Sequence, residues 1–159
     1  MGTFQATGEG ALVRGMKWRP VSGAIAEAAR EPYLLRERDR DRYEKALNGA
    51  GFTVRHVDVS GLWSEREASL AVARALGFPD FYHGGWDGFF DLLVSEFQER
   101  PDRIAVCLTG ADELAQRDLR LFVRTSWQLQ GATETIASEG EGAWQLEFLY
   151  WGQDWRSLE

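Results

Sequence analysis

The sequence predicts an α/β fold: a three-stranded parallel sheet packed with helices, behind an N-terminal helical extension. Three observations predict it. Residues Phe52 to Val59 alternate apolar and polar side chains, as a strand with one buried face does. Ile104 to Leu108 is an unbroken apolar run, the pattern of a strand covered on both faces. Between such segments the apolar spacing changes to a helical period, and strands alternating with helices build a parallel sheet with covering helices.

The elements follow in order. The first ten residues are rich in Gly and Thr and read as a loose terminus. Ser22 to Arg30 offers an N-cap and an Ala-rich run for a helix, which Pro32 stops. Tyr33 to Leu35 has the makings of a short strand. Arg38 to Asn48 is a mixed-charge helix with Tyr43, Ala46 and Leu47 on one side, ended by Gly49 and Gly51. After the Phe52–Val59 strand, Ser60 and Gly61 turn the chain. Ser64 with Glu67 is a capping-box pattern and opens a helix to Leu76, which Gly77-Phe78-Pro79 ends. Helices also fit Trp86 to Gln98 and Asp118 to Gln130, and a last strand fits Ala143 to Trp151. The chain therefore divides at residue 51, with 1–51 as the partly helical extension and 52–159 as the domain.

Composition narrows the function. With 159 residues, 44% of them hydrophobic and 27% charged, the chain is a globular domain and not a disordered one. Its one cysteine, Cys107, sits inside the apolar run and reads as an inert core thiol. Met1 to Gln5 has neither the basic nor the apolar region of a signal peptide, and no apolar stretch reaches membrane-spanning length, so a cytoplasmic location is expected. Residues 1–60 carry a net charge of +2 and residues 61–159 carry −9. That acidic body repels a phosphate backbone, which argues against direct nucleic-acid binding. It attracts a basic protein, although acidic surfaces also serve solubility alone. No Ser/His/Asp grouping, phosphate-cradling glycine loop or paired-cysteine zinc spacing occurs, so neither an enzyme nor a cofactor is expected. His56 reads as a structural strand residue, and most of the seven tryptophans as core.

Residues 78–93, FPDFYHGGWDGFFDLL, carry the chemistry. Pro79 to Tyr82 is an aromatic-bearing loop, and Gly84 and Gly85 can take positive φ and let another backbone approach closely. Trp86 starts a helix. Asp87 and Asp91 are four apart, so both carboxylates leave one helical face, with Phe90 between them and Phe89, Leu92 and Leu93 on the other side. The helix offers no compensating cation at that spacing. An acid pair framed by Phe81, Trp86 and Phe90 suits a cation from outside. Three other readings stand beside it: Asp87 complementing the helix dipole with Asp91 merely solvated, a metal held by His83, Asp87 and Asp91, and an acid/base pair.

Phe81, Tyr82, Gly84, Gly85, Trp86, Asp87 and Asp91 together resemble the binding loop and helix of the barstar family of ribonuclease inhibitors. The similarity runs, less sharply, from Phe52 to Trp151. It implies a barstar-like domain that plugs a ribonuclease active site, with Asp91 in the place of a substrate phosphate and Asp87 as the flanking acid. It implies partner binding by Phe81, Tyr82, Gly85, Trp86, Asp87, Phe90 and Asp91. The implied partner is a basic ribonuclease bound one to one, with no catalytic residue, metal, cofactor or membrane contact. The alternative is an immunity or regulatory module of the same fold acting on a partner that is not a ribonuclease. Four features depart from the family pattern: Phe81 for a tyrosine, His83 for a glycine, Gly85 for an asparagine, and no clear counterpart of the family's later glutamate between Ala111 and Asp118.

Overall fold

The apolar runs become the centre of a four-stranded parallel sheet. In the computed structural model, which describes residues 18–97, 102–139 and 144–156, the strands are β1 (Tyr33–Arg36), β2 (Thr53–Asp58), β3 (Asp102–Thr109) and β4 (Trp144–Gly152). Their order is β1-β4-β3-β2, every neighbouring pair parallel. The central strands are the most buried: Ile104 to Leu108 of β3 and all of β4 are closed off from solvent. This is the burial that a parallel sheet with both faces covered requires.

The expected sheet had three strands, and β1 is the correction. It pairs with β4 from Tyr33 opposite Leu149 to Arg36 opposite Gly152. Four residues carry too little alternation to reveal a face. What holds the strand is non-local, since Leu35 is buried against a cluster containing Leu149 and Trp151.

Helices cover both faces. The short α1 (Val21–Ala24), a 3₁₀ turn (Glu37–Asp39) and α2 (Arg40–Gly49) belong to one side. There Val21, Ile25, Tyr43 and Leu47 pack with Leu35, Phe52, Ala105, Cys107, Leu149 and Trp151. The other face takes α3 (Glu65–Ala75), α4 (Trp86–Phe97), α5 (Ala111–Arg117) and α6 (Leu119–Glu139). Residues 18–51 thus supply an edge strand and one covering layer of the same sheet.

Three helices differ from expectation. The Ser22–Arg30 helix is only one turn, because Ile25 leaves it in an extended conformation and Ile25 and Ala28 are both buried in the core under α1 and α2. A helix this short has little stability of its own, and burial decides its path. Residues 111–117 form an additional helix, α5. α6 runs past the expected end at Gln130 to Glu139, because Ala132, Thr133 and Ile136 beyond Gly131 are buried. The expected ends at Gln98 and Ala143, and the terminal ten residues, lie outside the described residues.

Two polar side chains sit on the face covered by α1 and α2. Gln145 and Glu147 alternate along β4 and are 1% and 2% exposed. The Gln145 amide is fully used: its oxygen accepts from Arg19 N at 3.1 Å and Arg103 Nε at 3.1 Å. Its nitrogen donates to Arg19 O at 2.7 Å and to Glu147 Oε2 at 3.0 Å. His56 is tied to Glu44 at 2.7 Å and lies edge-on to Trp151. Burial pushes the Cys107 thiol far above its ordinary range, as expected of a core thiol. No helix among the described residues is long and apolar enough to cross a membrane.

Candidate functional site

The site begins with the end of α3. At the helix start Ser64 Oγ accepts Glu67 N–H at 3.1 Å, and Glu67 Oε1 accepts Trp63 N–H at 2.8 Å. At the helix end Gly77 adopts φ +77°, Gly77 N–H bonds Arg74 O, and Phe78 N–H bonds Ala73 O at 3.0 Å. This paired closure of a helix by a left-handed glycine turns the chain sharply into the aromatic loop. Phe78 then packs against Tyr82 and Phe89, with ring centroids 5.8 and 5.2 Å apart, and anchors the loop to the core.

Gly84 and Gly85 hold φ of +104° and +100°, a region that side-chain-bearing residues rarely occupy. Gly84 is constrained from outside as well, because a Cβ would come within 2.7 Å of Arg66 Cγ. Gly85 is fastened at both ends. Its N–H donates to Ser69 Oγ at 2.8 Å, and its carbonyl accepts the Tyr82 hydroxyl at 2.6 Å. Ser69 in turn donates to Arg66 O at 2.8 Å and is fully buried in α3. A hydrogen-bond chain therefore runs from α3 through the loop to Gly85, the residue before α4, whose carbonyl also accepts the helix's first-turn bond from Phe89 N–H. The entry angle of α4 is fixed before any partner arrives.

The predicted residues separate into two groups. Phe81, 69% exposed, stands open to solvent with Asp87 and Asp91. Tyr82, 8% exposed, turns inward and fastens Gly85, and burial raises its hydroxyl pKa. Trp86 and Phe90 are half-buried, each edge-on to the fully buried Phe89. The Trp86 Nε1 is shielded and has no hydrogen-bond partner among the described residues. Asp87 and Asp91 lie one turn apart, and among the described residues neither has an ion-pair or hydrogen-bond partner. His83 is exposed in the loop and not part of the helix, and no group of three metal-ligating side chains converges among the described residues. The arrangement can present two carboxylates and an aromatic ring to a cationic surface.

Ser69 was not singled out from sequence. Its signal was a hydroxyl inside the apolar stripe formed by Ala68, Val72 and Ala73, where only a bonded polar group is tolerated. Ser69→Ala is expected to leave Gly85 N–H without its acceptor and to lower stability by about 1–2 kcal/mol. Urea unfolding of the two proteins measures this. An unchanged midpoint would mean that the hydroxyl does not hold the loop.

A protein-family model described as Barstar (barnase inhibitor) matches residues 52–146, more than half of the chain. The match contains the whole loop and helix above. Comparisons with curated proteins and with solved structures return no match.

Proposed function

This chain belongs to the barstar family of barnase inhibitors, and from that premise we propose that it is an intracellular inhibitor that occludes the active site of a basic ribonuclease with residues 78–95. The observation that carries the reading is the pair Asp87 and Asp91, unpartnered among the described residues, on a helix whose entry is locked by Ser69 and Tyr82. Two carboxylates at fixed spacing imitate adjacent phosphates, and a cleft that binds RNA offers the arginine and lysine side chains to receive them. Phe81 packs on the partner beside the acid pair, while Trp86 and Phe90 exclude water from it. The acidic body steers the encounter, and desolvated acid–cation pairs slow release. No covalent chemistry, metal or cofactor enters this mechanism.

The experiment is capture of the partner from a lysate with the wild-type chain and with the Asp87→Ala/Asp91→Ala double variant as baits. The wild type is expected to retain a basic protein that the variant loses. The captured protein is expected to cleave RNA until one equivalent of this chain is added. A captured partner with no ribonuclease activity would overturn the reading in favour of a regulatory or immunity module.

A further inference from the structure

A second surface, on α6, is not used by the inhibitory reading. Leu119, Val123 and Trp127 follow at four-residue spacing and are 55, 52 and 76% exposed, so they form one apolar stripe along the helix. Beside the stripe lies a cleft lined by Glu31, Pro32, Val123, Trp127, Phe148 and Tyr150. It opens where β1 extends the sheet past β4, the strand on which α6 packs. A tryptophan standing in water next to an apolar cleft is a contact surface in search of an occupant.

The charges around the stripe identify the occupant. Arg120 and Glu134 stand seven residues to either side of Trp127, two helical turns away on the same ridge. Both are exposed, and among the described residues neither has an ion-pair partner. Glu31 reinforces the acidic end: burial raises its pKa and the neighbouring Glu134 raises it further, so two carboxylates crowd there. The ridge is therefore cationic at one end, apolar in the middle and acidic at the other. A surface whose charge reverses about its midpoint is complementary to itself when turned end over end.

We propose that this face of α6 is a homodimer contact, with two copies of the helix packed antiparallel about a twofold axis at Trp127. Seven residues of helix rise about 10 Å, so Arg120 of each copy comes level with Glu134 of the other. The twofold axis makes that pair twice, as an isologous interface must. The Trp127 rings meet at the centre with Val123 beside them, an aromatic core within a charged rim.

Sedimentation velocity of the full chain, over a range of about 1–100 µM, tests the proposal against a dissociation constant in the micromolar range. The expected result is a monomer–dimer equilibrium. Arg120→Glu and Glu134→Arg are each expected to weaken it about tenfold, since each turns two attractive pairs into two repulsive ones. The double swap R120E/E134R restores opposite charges and should return the constant to within about threefold of wild type. Trp127→Ser should leave only monomer. All three positions are exposed, so the variants fold. A wild type that stays monomeric throughout, as it would if another protein were the occupant, overturns the proposal. So does a double swap as weak as its single parents. Neither outcome bears on ribonuclease inhibition, which requires only a monomer.

Discussion

Replacing Asp91 with alanine is expected to weaken binding to the captured partner by about 2–5 kcal/mol, almost entirely through faster dissociation. The range is that of charge-paired interfaces in general, this inhibitor family's own included. Its physical source is desolvation. Asp91 sits one turn inside α4, next to the half-buried Phe90 and on the face that a docked protein would cover. Truncation leaves the partner's cation buried and unpaired, and that penalty is larger than the loss of a contact at a wet rim. Asp87, in the first turn and nearer the loop, should cost less. Glu113→Ala, an exposed acid on α5, should leave dissociation almost unchanged. Added salt should slow association of the wild type far more than it speeds dissociation, because screening acts on encounter and not on the buried pair. Stopped-flow association and chase-displacement kinetics at two salt concentrations measure all three variants. Equal dissociation rates for Asp91→Ala and Glu113→Ala would remove α4 from the interface.

Glu147 should make the protein less stable as pH rises from acidic to neutral, and Glu147→Gln should abolish that dependence. Burial pushes this carboxyl from 4.5 up to about 7; Glu31 adds to the rise and the Gln145 amide opposes it. A folded-state value above the unfolded one means that the native protein holds the proton more tightly. The associated stability is complete below the unfolded value and is lost as pH rises through the folded one. The window therefore runs from about pH 4.5 to about pH 7. Between pH 5 and pH 8 the wild type should lose about 2–3 kcal/mol that the glutamine variant keeps. Glutamine still accepts from Gln145 Nε2, so the comparison isolates ionisation and not packing. Urea denaturation of both proteins at the two pH values gives the difference directly. A gap between them that is the same at pH 5 and pH 8 would show that Glu147 does not change its ionisation in that interval.

Much of the fold was legible because burial writes itself into local pattern. The all-apolar stretch at Ile104–Leu108 could only be a strand covered on both sides, and Ser64 with Glu67 could only be useful as a helix start. Gly77 likewise announced the end of α3. What escaped depended on partners far away in sequence. The strand Tyr33–Arg36 is held by β4, and no property of those four residues names that partner. The reach of α6 beyond Gln130 was likewise hidden, since it is set by the burial of Ala132, Thr133 and Ile136 against the rest of the core. At the site, the shared open face of Asp87 and Asp91 was readable from helical spacing, and Phe81 from its place in the aromatic loop. The inward turn of Tyr82 and the role of Ser69 were not, since both are defined by the backbone of Gly85.

The order of the strands has a consequence for how the molecule is made. β1 emerges early in synthesis, yet its hydrogen-bonding neighbour is β4, nearly the whole described chain later. Until residues 144–152 leave the ribosome, β1 has no ladder to join, Leu35 lacks Leu149 and Trp151 as neighbours, and β3 has one bare edge. Parallel pairing over such a separation closes late, because the entropy of the intervening loop must be spent before the contacts form. The growing chain should therefore gain protease resistance in a single late step, and a nascent chain arrested before Trp144 should remain open to digestion along its length.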